Sequence, residues 1–332
     1  MLALAACASL SAQPIDGTWA SNANSNWGAT GTWVEGVVPG GVGSVITINR
    51  TAMSATRTLT LNNGERTVGQ IIGVGTATNS DARSVIVNAT TNRLVFDNGG
   101  AAARITNEDA GHLTVSGTIA LMGNLELTNN NTRSIADGNY LTLGGAAGGT
   151  ISAGSAGLKT IYTMPTTHSS GDLNAQRIVF QNVTISDGDG QIAIVHNSGN
   201  NLNFLSVTNN ATGGLLLNSG VLRLSRDSND NAFQAFDTSL GAAGAPFSFN
   251  GGVLNLAAGS AVLESSNRLT TLDAGGGTFA TAASSSIIWN GSVVGSGALT
   301  VAGNVTLTQD NSYSGGTAVN GGTLVAAHNS SL

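Results

Sequence analysis

Four histidines, His112, His168, His196 and His328, are the first candidates for chemistry. A zinc site needs ligands clustered at short, regular spacing. None of the four has a partner two or four residues away, and no cysteine lies near any of them. They are expected at exposed strand or turn positions. Asp187-Gly188-Asp189-Gly190 is the best metal candidate, because alternating carboxylates and glycines can wrap a calcium ion in oxygen ligands. A calcium loop begun at Asp187 needs a closing Glu at its twelfth position, and Ser198 stands there. The segment is expected to be a tight turn, as is the polar stretch Arg226–Asn231.

Hydrolysis of a sugar bond asks for two carboxylates facing across it. Glu35, Glu65, Glu126 and Glu264 have no acidic neighbour in sequence. Glu108 and Asp109 are adjacent, but on a strand they would point to opposite faces. Stacking of distant segments is the one route to a pair. No nucleophile elbow occurs in a strand-to-helix context, and the glycine-rich stretch Gly144–Gly149 lacks the Lys-Ser/Thr ending of a phosphate loop. No catalytic, cofactor-binding or metal-ligating residue is assigned, and no cofactor is expected. Trp19, Trp27 and Trp33 crowd the start of the chain, ahead of Pro39-Gly40-Gly41. They read as a cover over the first strands, where exposed edges would otherwise be unpaired. Their rival reading is an aromatic platform for sugar rings, with Trp289 as a fourth member.

The elements that carry these residues are short strands. Charged residues are 9% of the 332, against about 25% in an average soluble domain. Glycine contributes 46 residues, roughly twice the usual ~7% share. Apolar residues make up 41% and aromatics only 5%, so a core is available but is built from small and branched side chains. A net charge of −6, with Lys and Arg totalling 12, argues against a nucleic-acid partner and against an anionic membrane surface. The single cysteine, Cys7, lies in the apolar opening Met1–Ala12. That opening reads as the end of a signal peptide, truncated at its start, with cleavage after Ala12. Leu4-Ala5-Ala6-Cys7 also resembles a lipoprotein box. No later stretch reaches the ~18–20 apolar residues of a membrane helix, so no membrane insertion by this segment is expected.

Period-two alternation recurs along the chain. Thr58–Leu61, Asn124–Thr128, Tyr140–Leu143, Val221–Leu224, Val253–Leu256 and Val305–Leu307 each put apolar side chains on one face and Thr, Asn or charge on the other. Asn62-Asn63-Gly64, Asn98-Gly99-Gly100, Asn250-Gly251-Gly252 and Asn320-Gly321-Gly322 separate such runs with turn residues. The phrase Asn-Gly-Gly-Val-Leu at 250–254 returns as Asn-Gly-Gly-Thr-Leu at 320–324, with an echo from Asn218 to Leu222. Scarce aromatics, a pattern unbroken over most of the chain and a recurring phrase favour a solenoid over a sandwich. Repeated positions then form ladders, in which outward Thr, Ser and Asn hydrogen-bond along the stack.

The stretch Gly303–Ala327 resembles the autotransporter-associated β-strand repeat. The residues that carry the likeness are Asn311, Tyr313, Gly315, Gly316, Thr317, Val319, Gly322 and Leu324. The motif is specific but covers only about 25 residues. Val305 stands where that family's unit has Leu. The segments Ser239–Gly241, Asn250–Gly252 and Ile287–Gly297 resemble those that precede the unit, and the Trp-rich opening is similar to that family's capping segment. The resemblance implies an exported passenger β-helix at the cell surface or outside the cell. It is in the outer membrane if a barrel follows. It also implies that the chain is a fragment of a longer protein, since it ends at Ser330-Ser331-Leu332, where another rung would begin.

The expected fold is all-β, a right-handed parallel β-helix with a Trp-rich N-terminal cap. Its parts are the signal peptide at 1–12, the cap at 13–43 and β-helix repeats at 44–332, with the recognisable repeat at 297–332. About 13 rungs of ~20–25 residues would make a stack roughly 60 Å long. Val305, Leu307, Val319 and Leu324 are expected inside, with Thr306 and Thr323 outside. The expected role is structural or adhesive, with a surface, matrix or glycan partner. The alternatives are a carbohydrate-binding module and a β-helix polysaccharide lyase or hydrolase.

Overall fold

The computed structural model describes residues 13–75, 83–88, 92–108, 111–130, 140–166, 177–225, 236–257 and 260–328. Residues 1–12 with Cys7, Asp109, His168, the Arg226–Asn231 segment and residues 329–332 lie outside the described residues. The protein is an all-β parallel solenoid. Among the described residues the only helices are short 3-10 turns at Thr30–Thr32 and Phe236–Leu240. No helix there is long and apolar enough to cross a membrane.

Alternation of small polar and branched apolar residues makes each strand two-faced, and one face must be buried. A parallel neighbour of the same pattern supplies the cover. One sheet has 12 strands, each paired in parallel with the next rung. Its equivalent positions run Gly17, Ile46, Ile71, Ile105, Leu127, Thr163, His196, Leu217, Phe249, Leu272, Gly295 and Tyr313.

The remaining strands form a second sheet made of two stacks that meet at a corner. His112–Leu121 pairs with Arg83–Asn88 through its first half and with Arg93–Phe96 through its second. Ile178–Gly188 and Leu299–Leu307 turn the same corner. Each full rung therefore has three sides. Eleven steps of about 4.8 Å make a stack on the order of 50 Å long.

Rung length departs from the expected uniform 20–25 residues. Gly295 to Tyr313 takes 18 residues, whereas Leu127 to Thr163 takes 36. The cause is that only the paired strands are constrained by their neighbours, so added residues collect between faces.

Inward side chains stack on like side chains. One ladder climbs through Leu113, Leu141, Ile178, Leu202, Leu222, Leu254, Phe279, Val301 and Val319. Another runs Leu263, Ile287, Val305, Leu324. Val305 and Leu307 are buried, while Thr306 and Thr323 are not. Leu324 is only half-buried, packed against the core. Val319 corrects the expectation of an inside position: it is 50% exposed. Its register is that of the core ladder, above fully buried Val301, but no described rung covers it.

Val301 and Val319 thus share one side chain and one column but differ in cover. Val301→Ala should cost about 2 kcal/mol or more in denaturant unfolding, and Val319→Ala less than about 1 kcal/mol. Equal losses would contradict the ladder.

Candidate functional site

The sequence offers three groups for a functional role: the tryptophans, the repeat motif, and the scattered histidines and carboxylates. The tryptophans are interior. Trp19 ends the first strand and is fully buried, as are Trp27 and Trp289, and Trp33 is 4% exposed. Trp27 and Trp33 meet edge to face with ring centroids 5.1 Å apart. Trp33 Nε1 donates to the Trp27 carbonyl at 2.8 Å, and Trp27 Nε1 donates to the Pro39 carbonyl at 3.1 Å. As placed, no ring offers a face to a sugar.

The segment that follows closes the first strand's outer edge. The Val34 amide donates to the Thr18 carbonyl at 3.0 Å, and the Thr18 amide donates to the Glu35 carboxylate at 2.8 Å. Slight desolvation raises the pKa of exposed Glu35, but the hydrogen bonds from Thr18 and from its own backbone outweigh that and leave it below the usual value. Both polar groups of an edge strand are thereby occupied, which blocks further pairing there.

The repeat motif is spent on stacking. Asn311 Oδ1 accepts the Val293 amide at 2.7 Å, one rung back. The Tyr313 hydroxyl meets Thr317 Oγ1 at 2.5 Å across the turn. A Cβ on Gly315 would lie 2.3 Å from the Ala298 nitrogen, so only glycine allows that approach. Gly316 and Gly322 have φ of +79° and +75°, in the left-handed region. Val319 and Leu324 continue the two core ladders described above.

Several acidic residues are tied down individually. Asp187 accepts from the Ile192 amide at 2.9 Å, and its carboxylate takes the Thr212 amide and hydroxyl from the next rung. It fastens a turn. Glu65 pairs with Arg93 and Glu126 with Arg104, each at 2.7 Å. Asp237 pairs with fully buried Arg268 at 2.6 Å. Among the described residues no group of three or more His, Cys, Asp or Glu is placed to hold a metal ion.

Two histidines correct the expectation of exposed positions. His112 is 8% and His196 1% exposed, whereas His328 is exposed beside Asp310. His196 Nε2 donates to the Asn200 carbonyl at 3.1 Å, so Nδ1 accepts from the Thr163 hydroxyl at 2.6 Å. Burial pushes its pKa down to about 4, only partly offset by the bond to Asn200. Sequence reasoning missed two buried arginines as well. Arg50 donates to Asn107 Oδ1 at 2.7 Å, and Asn107 donates to Asn129 Oδ1 at 3.0 Å. Arg268 also reaches the carbonyls of Leu240 and Ala245. Their side-chain hydrogen-bond partners lie 23 to 58 residues away, so no local signal marks them.

No family model, curated protein or solved structure matches the chain.

Two outcomes follow from this arrangement. Trp27→Ala should lower stability by about 3–5 kcal/mol, read from denaturant unfolding; unchanged stability would mean that the ring is not packed. His196 binds its proton in the unfolded state near the ordinary 6.5 and in the folded state near 4. Its contribution is full above the unfolded pKa and is lost as pH falls through the interval. Stability should decline by up to about 3 kcal/mol between those limits, and His196→Gln should flatten that part of the pH profile. An unchanged slope in the variant would contradict this assignment.

Proposed function

We propose that this chain is an exported surface or secreted solenoid of the autotransporter-associated β-strand repeat type, with a structural or adhesive role and no catalysis. The observation that carries this reading is the repeat motif. Each of its residues serves rung stacking, a turn or a core ladder, and none is held in reserve for a reacting group. The outward side agrees with it. Thr18 stacks beside Thr47, Thr106 beside Thr128, and Ser248 beside Thr271 along the 12-stranded sheet. Small hydroxyl side chains on a rigid stack make a low-charge surface for display or contact. The carbohydrate-binding alternative loses its tryptophan platform, and nothing specific favours the lyase or hydrolase.

Antibodies against the purified chain should label intact cells that express the whole gene. Labelling only after permeabilisation would overturn the surface assignment. Incubation with a polysaccharide panel should release neither reducing ends nor unsaturated products. Turnover that disappears on replacing a carboxylate would overturn the non-catalytic part.

A further inference from the structure

Leu94, Ile119, Ile151 and Ile185 make one inward column of the second sheet, and all four are buried. The residue paired with Leu94 on the rung before is Arg66. A guanidinium at the foot of an apolar column needs a partner or an exit to water. Arg268, deep in the stack, has Asp237. Arg66 has no carboxylate partner among the described residues. There its side chain makes one hydrogen bond, from Nη1 to the Glu65 carbonyl at 3.1 Å, and its Nε is shielded from water without a partner.

The exit is a groove of about 400 Å³ lined by residues 38–41 and 65–67. The strand Arg66–Val68 is the first of its stack and pairs with Arg93–Phe96 on the next rung. On its other side runs the cap segment. The Gly41 amide donates to the Thr67 carbonyl at 2.8 Å, and the Gly40 amide donates to the Ile15 carbonyl at 3.0 Å, so both walls are fixed in place. Gly41 has φ of +113°, which lets the backbone pass close to the strand. Every lining residue, and every residue paired in register with Arg66–Val68, is described.

The groove falls in the ~300–1,000 Å³ range of small-molecule sites. Its charge is set by three groups. Glu65 lines it, but its carboxylate is held by Arg93 at 2.7 Å. Arg66 is left over, giving one net positive charge. The edge of its guanidinium formed by Nη2 and Nε is the fork that takes a carboxylate through two parallel hydrogen bonds, and a carboxylate oxygen would give Nε the acceptor it lacks. Half-buried Val38 and buried Pro39 supply an apolar wall beside it.

We propose that this groove binds a small monocarboxylate with a short apolar body, Arg66 taking the carboxylate and Val38 and Pro39 the body. It goes beyond the structural role above and does not depend on it, since a solenoid without a ligand would satisfy that role. One charge pair and one small apolar wall set the affinity near a Kd of about 1 mM.

The test titrates the purified chain with isovalerate, and with acetate, isovaleramide, galacturonate and inorganic phosphate as comparisons, by two-dimensional NMR. Isovalerate should bind saturably and shift the amides of Gly40, Gly41, Arg66 and Thr67. Each of the other four should bind at least about fivefold more weakly: acetate lacks the body, isovaleramide the charge, galacturonate the apolar surface, and phosphate carries extra charge and no body. Arg66→Met suits an apolar column, so circular dichroism and Tm should hold while isovalerate binding is lost. Val38→Thr keeps the arginine and provides a second reading, weakening isovalerate several-fold while leaving acetate unchanged. No binding of isovalerate, shifts centred away from this groove, equal binding of isovaleramide, galacturonate or phosphate, or binding that survives Arg66→Met would overturn the proposal.

Discussion

In-register parallel pairing at about 4.8 Å is the constraint on which this molecule depends. It places every side chain directly above an equivalent one, so a buried position is solved once and then repeated. Leu202, Leu222 and Leu254 are stacked copies of one solution. Where the solution changes, the column adapts: Leu254 gives way to Phe279, which packs edge to face against Phe249 at 5.4 Å. Aromatic residues are few, but the buried ones gather, with Phe247, Phe249, Phe279 and Trp289 in mutual contact. Such pairs add about 0.5–1.5 kcal/mol each beyond their area.

The same constraint governs the polar interior. A charged or amide side chain inside a narrow stack has no water to meet, so it needs partners on its own or adjacent rungs. Arg50, Asn107 and Asn129 form such a chain across rungs. Outside the core, half-buried Asn197 and Asn218 and exposed Asn250 form a ladder of their own, with Asn218 donating to Asn197 at 2.6 Å and Asn250 to Asn218 at 3.5 Å. This ladder gives a physical role to the asparagine in the recurring Asn-Gly-Gly phrase. Arg268 is the strongest case, fully buried and bound to Asp237 and to several carbonyls. Removing one member of a buried charge pair costs about 3–5 kcal/mol, which makes these networks as important to the stack as its leucines.

Strand positions and glycine turns were legible because both are local. Alternation has a period of two residues, and Asn-Gly-Gly needs no distant partner to mark a turn. Rung register was not legible beyond the terminal repeat, because the interval between equivalent residues swings from 18 to 36. Everything that depends on register was hidden with it. His196 looks like a lone strand histidine until Thr163 is placed beneath it, 33 residues earlier. Trp27 reads as a cover or as a sugar platform, and its full burial shows only once the Trp33 loop folds over it. Gly144–Gly149 reads as a turn, and nothing local says that it is an insertion within the strand Leu141–Ala153.

Distance along this molecule counts rungs and not residues. Outward positions Arg104, Ser248 and Ser312 lie in one column of the 12-stranded sheet, five and eight rungs apart from the first. The measurement is electron paramagnetic resonance with Cys7 replaced and spin labels on cysteines at those positions, taken in pairs. Rung spacing predicts separations near 24 Å for Arg104 to Ser248 and about 38 Å for Arg104 to Ser312, each about 4.8 Å per rung within the reach of the labels. A shorter distance for the second pair than for the first, as a folded-back sandwich would give, would contradict it.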